Sequence, residues 1–267
     1  MQIRWRDEII RFTDDGSGEP ILFIHGLGGN ADNWLNQRTS ISRHHRVITV
    51  DLPGHGRSTG RSIGFEHYAL AVEAVLQHVD VATVSVVGLA MGGRVGIALA
   101  ARLPDQVSRL TLVNTYLDLP PQQQAERVRL YDLLLQPGGD REWAAKLLDG
   151  MGVSDHPGIV RGFTASLGHI DPRHIHTVFR QLLLADQTDE LRALAIPVQI
   201  MVGRRDRLVP AESTQRLRDL VPSAQLHSFR DSGHLPYLEE PAVFNDALEA
   251  FLHHRLLASP TTARPRP

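Results

Sequence analysis

Four short clusters in this 267-residue sequence hold residue types that can do acyl or proton-transfer chemistry, and each follows an apolar, strand-like run. His25-Gly26-Leu27-Gly28-Gly29 follows residues 21–24, and Gly88-Leu89-Ala90-Met91-Gly92 follows the β-branched run 83–87. Asp206 stands just after residues 198–202, and His234 closes an Asp-Ser-Gly-His loop after residues 225–229. A carboxylate beside an imidazole makes a base able to take a proton from a substrate, a water or a hydroxyl. A carboxylate at the C-terminal edge of a strand can reach a site there. A glycine-rich turn running from strand into helix offers free backbone N–H groups and the positive end of a helix dipole. Each cluster alone would be a capped loop or a tight connection. Four in one chain, each at a strand end, argue for a single site.

The chain order is position 90, Asp206, His234. With the Gly-x-x-x-Gly turn about residue 90, this order resembles the α/β-hydrolase superfamily, whose nucleophile elbow reads Gly-x-Ser-x-Gly. The resemblance is to the lidded group that contains carboxylesterases, enol-lactonases and acyl-carrier-protein ester hydrolases. Asp51-Leu52-Pro53-Gly54-His55-Gly56-Arg57-Ser58 matches a loop frequent in that group, and the likeness covers about residues 20–115 and 190–255. The resemblance implies that Asp206 orients His234 and that His234 is the general base. It also implies an oxyanion hole made by the backbone amides of Leu27 and Met91, with no metal and no cofactor. His25, Gly26, Trp34 and Trp143 are candidates to line a substrate pocket, although His25 and the two tryptophans suit simple structural roles as well.

The departure is Ala90, at the position where the pattern has serine. Alanine has no oxygen to attack a carbonyl, so no acyl-enzyme can form through it. It equally excludes the branches that use an aspartate nucleophile. Three readings stay open. The first is an ester, thioester or lactone hydrolase in which alanine stands in place of serine, as an inactivated or a natural variant. The second is a lyase or cofactor-free oxygenase that uses the His234–Asp206 pair directly as base. The third is a ligand-binding homologue without catalysis.

The elements that must position these residues follow from the hydrophobic pattern. Short apolar runs alternate with helical stretches, which predicts a mostly parallel, eight-stranded sheet with helices on both faces. Residues 3–5 and 8–13 read as an opening hairpin, and 91–103 as an Ala-rich helix stopped by Pro104. From 116 to 189 the strand rhythm stops. Helical segments near 122–135, 142–151, 158–167 and 174–186 are expected to form a lid inserted in a core of residues 1–115 and 190–258. The Pro- and Arg-rich tail 259–267 is expected to be disordered.

Composition excludes several classes. There are no cysteines, hence no disulfide, thiolate metal site or Cys nucleophile. A net charge of −2 gives no reason to expect nucleic acid or an anionic membrane as partner. No apolar run is long enough to span a bilayer, and the charged N-terminus lacks a signal core, so a cytoplasmic location is expected. The expected partner is a small acyl substrate. An acyl carrier protein is a further candidate, because Arg127, Arg129 and Arg141 would make one side of the lid basic, although a solvated helix face is the better explanation of them. His174-x-His176 lacks a visible carboxylate partner for a metal, and His44-His45 reads as a solvated turn.

Overall fold

The computed structural model describes residues 1–61, 64–168 and 171–253; the tail expected to be disordered lies outside them. Eight strands form one sheet: β1 (Gln2–Trp5), β2 (Glu8–Gly16), β3 (Pro20–Ile24), β4 (Arg46–Val50), β5 (Val84–Leu89), β6 (Val107–Val113), β7 (Val198–Gly203) and β8 (Gln225–Phe229). Their order across the sheet is β1-β2-β4-β3-β5-β6-β7-β8. β1 pairs with β2, and β2 with β4, antiparallel; every later pairing is parallel.

The strand composition explains this arrangement. All six residues of β5 are buried, as a central strand covered on both faces requires. Alternate side chains of β3 feed two different cores: Leu22 and Ile24 join one cluster, Ile21 and Phe23 the other. The first cluster lies under α2 (Phe65–His78) and α3 (Met91–Arg102). The second lies under α1 (Leu35–Ile41) and extends into the helices between β6 and β7.

Those inserted helices are α4 (Pro121–Asp132), α5 (Gly139–Met151), α6 (Pro157–Leu167), α7 (Pro172–Leu184) and the short α8 (Thr188–Ala193). Proline at the first turn of α4, α6 and α7 starts each without losing a bonded N–H. After β7 come α9 (Ala211–Leu220), α10 (Pro236–Glu239) and α11 (Pro241–His253). Among the described residues no helix is long and apolar enough to cross a membrane.

Three expectations need correction. Trp34 is fully buried and packs against Phe23, Tyr237 and Phe244, so it is core and lines neither of the cavities beside Leu27. Trp143 is equally buried, wedged against Tyr131 and Phe163. His45 is buried beside His253 rather than solvated; only His44 is exposed.

Candidate active site

The parallel register brings the chemical residues to one edge. Ile24 pairs with Gly88, Val113 with Met201 and Gly203 with Phe229, so the segments after β3, β5, β7 and β8 emerge side by side. Ala90 sits in the turn between β5 and α3 with φ 48° and ψ −107°, a strained conformation for any residue with a Cβ. Its N–H donates to the Val113 carbonyl at 2.8 Å, which pins the turn to β6. The flanking glycines are sterically required. A Cβ on Gly88 would lie 2.3 Å from the Gly92 carbonyl carbon, and one on Gly92 would lie 2.3 Å from the Ile24 oxygen.

His234 is held from several sides. Its Nδ1 donates to Asp206 Oδ2 at 2.7 Å, in a pair almost wholly removed from solvent. The other Asp206 oxygen accepts the Leu208 amide at 2.7 Å, so the carboxylate is fixed before it meets the ring. The His234 amide donates to Met151 of α5 at 2.8 Å. Because Nδ1 faces Asp206, Nε2 is the ring nitrogen left for the cavity that His234 and Ala90 both line.

This cavity has a volume of about 60 Å³, and Leu27 and Met91 belong to its wall. Among the described residues neither the Leu27 nor the Met91 amide is paired within the protein. The Met91 amide opens α3, where the helix dipole favours negative charge. A wider cavity of about 430 Å³ adjoins it, sharing Gly26 and Leu27 and passing under Ile159 and Phe163 of α6.

Of the residues expected to line a pocket, Gly26 does so and His25 does not. The His25 ring is buried; Nδ1 donates to the Gly26 carbonyl at 2.8 Å, and Nε2 accepts the Leu52 amide at 3.1 Å. It shapes the loop that carries Leu27. His174 and His176 do not converge: His176 bonds Asp132, whereas His174 stacks edge-on against His55. Of the three lid arginines, Arg129 and Arg141 are exposed, but Arg127 turns inward and lines the inner cavity.

Sequence reasoning missed Asn114 and Glu239. Asn114 Nδ2 donates to the carbonyls of Gly233 and His234 at 3.1 and 2.9 Å, and its Oδ1 accepts the Gly203 amide at 3.0 Å. One side chain thus ties the end of β6 to β7 and to the histidine loop. Glu239 accepts the amides of Gly233 and Leu235, bracketing His234, and burial raises its pKa. A polar residue directly after the apolar strand end Leu112-Val113 was the available signal for Asn114. Asn114→Ala is expected to destabilise the fold by about 1–3 kcal/mol, because three buried backbone groups lose their partner. Urea denaturation checks the loss.

His25, His55 and His174 form a file, with ring centroids 5.1 and 5.4 Å apart, running from the loop after β3 to α7. Burial holds all three below the usual histidine pKa. A histidine whose folded pKa is depressed is stabilising above its unfolded value, 6.5, and that stability is lost as pH falls below it. Each is therefore expected to cost up to about 1.4 kcal/mol per pH unit as it titrates. Thermal melts at pH 7.5 and 5 should show the fall, and His174→Leu should make it shallower.

The alpha/beta hydrolase fold family matches residues 19–241. The chain is 28% identical over 262 residues to the 2-hydroxy-6-oxo-2,4-heptadienoate hydrolase of Pseudomonas putida, covering 90% of this chain and 91% of that protein. It is 27% identical over 249 residues to the pimeloyl-[acyl-carrier protein] methyl ester esterase of Vibrio cholerae, covering 88% and 95%. A thermophilic esterase from Thermogutta terrifontis superposes with a TM-score of 0.81 at 26% identity, covering 92% of this chain and 93% of that one. The sheet order, the turn at residue 90 and these matches agree: the chain belongs to the alpha/beta hydrolase fold family.

Proposed function

We propose that this site is built to hydrolyse a carboxylic ester, thioester or lactone, and that Ala90 occupies the place of the attacking serine. The observation that carries the reading is the strained turn at Ala90 sharing a cavity with the Asp206–His234 pair. With serine at 90, His234 Nε2 would take the hydroxyl proton as Oγ attacks the carbonyl carbon. The oxyanion would be met by the Leu27 and Met91 amides, and His234 would then return the proton to the leaving group. Water would cleave the acyl-enzyme by the same route in reverse roles. With Ala90, that covalent path is closed; the chain binds the ester and at most directs a water from His234.

In this reading the helices α4–α7 act as the lid, since α4, α5 and α7 supply Tyr131, Leu147 and Leu182 to the inner cavity. A small ester is the expected substrate. An acyl carrier protein has less behind it: the esterase relative is named for such a substrate, but Arg127 points inward, which leaves Arg129 and Arg141 as the basic surface.

The test is to assay the chain and its Ala90→Ser variant on p-nitrophenyl acetate and butyrate. A large gain with serine supports the hydrolase. Turnover of a substrate by the Ala90 form alone, abolished by His234→Ala, would instead support a proton-abstracting lyase or oxygenase.

A further inference from the structure

The cavity at residue 90 carries a charge that acyl transfer does not use. Two guanidinium groups line it, Arg94 from α3 and Arg127 from α4, and no carboxylate does. Arg94 is fully buried, and its contacts are all neutral: the Gln187 side chain at 2.8 Å and the carbonyls of Leu117, Leu182 and Ala185 at 3.1, 2.7 and 2.7 Å. Burial pulls its pKa down to about 10, while Asp186, Asp118 and Glu190 act on it only from beyond contact. Arg127 donates to the Leu208 carbonyl at 3.1 Å, another neutral group. The Tyr116 side chain lies in the field of both guanidiniums, and Tyr131 in that of Arg127.

A cation withdrawn from water is costly unless an anion meets it. Most of the Arg94 hydrogens are committed, so it supplies charge at a distance. Arg127 makes one bond of the five its guanidinium can donate and has donors to spare. We infer that the inner cavity receives the anionic end of the substrate, which is a short half-ester or half-thioester of a dicarboxylic acid, its carboxylate paired with Arg127 beside Tyr116. The volume sets the length. About 60 Å³ is the room of a few waters, so a short acyl end fits and a long acyl chain does not. The wider cavity under α6 takes the rest of the molecule.

This inference rests on the site being an ester site, so its test starts with binding, which needs no turnover. The unmodified chain is titrated calorimetrically with monomethyl glutarate and with methyl butyrate. The half-ester is expected to bind about 10- to 100-fold tighter, the worth of one charged hydrogen-bonded contact. Arg127→Met, nearly the same length and neutral, is expected to erase that preference, and Arg127→Lys to keep part of it. A thermal melt of each variant separates lost folding from lost recognition. Equal affinity for the two esters, or a preference that survives in a folded Arg127→Met, overturns the inference. If Ala90→Ser turns over no ester while the Arg127-dependent preference persists, the hydrolase reading fails and the anion pocket stands. If Ala90→Ser is active, the half-ester is expected to have the lower KM at similar kcat, and Arg127→Met to raise that KM alone.

Discussion

Ala90→Ser is expected to raise turnover of a short aryl ester by at least about 10³-fold over the unmodified chain. In a serine protease of unrelated fold, removing the nucleophile costs about 10⁶ in turnover, or roughly 8 kcal/mol, and a residual acceleration of about 10³–10⁴ over water survives from the oxyanion hole and binding. The geometry around residue 90 is the ground for this expectation. The backbone at 90 has the strained angles, His234 lines the same cavity, and Asp206 is fixed behind the ring. Serine adds one atom at a site where a cavity exists, so the fold should tolerate it. Burst kinetics with p-nitrophenyl acetate would report the acyl-enzyme as a rapid first turnover. A serine variant as inert as the parent, with an unchanged melting temperature, would sink the proposal.

In that serine background, His234→Ala is expected to abolish the gain, returning turnover to within about tenfold of the Ala90 form. Nucleophile and base act as one unit, and in the same unrelated protease losing either costs nearly as much as losing both. Asp206→Asn is expected to cost about 10⁴, because an amide can donate to Nδ1 and so favours the wrong tautomer of the ring. The Asp206 carboxylate also caps the Leu208 amide, so part of the asparagine effect will be structural. Steady-state kcat/KM with a parallel urea melt separates the two. A serine variant that keeps its rate without His234 would mean that another group accepts the proton.

What the sequence made legible was set by local patterning. The β-branched run into Gly88, the terminal position of Asp206 and the loop of His234 are features of neighbouring residues, and the structure brings these residues to one sheet edge. Four of the helices between β6 and β7, α4 to α7, were readable as helical segments punctuated by Gly and Pro; the short α8 was not. The short 3-10 turn Ala31–Trp34 and α1 were not, because their start is fixed by the Asn30 side chain capping the Asp32 amide, amid residues without helical periodicity. Long-range contacts were illegible as well. Trp34 suits a pocket wall or a core equally by type, and only the approach of Tyr237, some two hundred residues on, decides it. Arg127 belongs to a helix whose exposed face is polar, and nothing local says that its guanidinium reaches inward to Leu208. Asn114 does its work through backbone groups of β7 and the histidine loop, partners that a pattern search cannot see.

Arg94 has one more consequence, mechanical rather than electrostatic. Rooted in α3, it grips the carbonyls of Leu182 and Ala185 at the end of α7 and the side chain of Gln187. That margin of the helical roof is bolted to the sheet. α6 is the opposite case: none of its residues is buried, and a Cβ at Gly158 or Gly162 would touch nothing within 4 Å. The roof is thus anchored unevenly: hydrogen bonds from Arg94 fix one margin, whereas α6 rests on the core through the partly buried Ile159, Val160, Phe163 and Leu167.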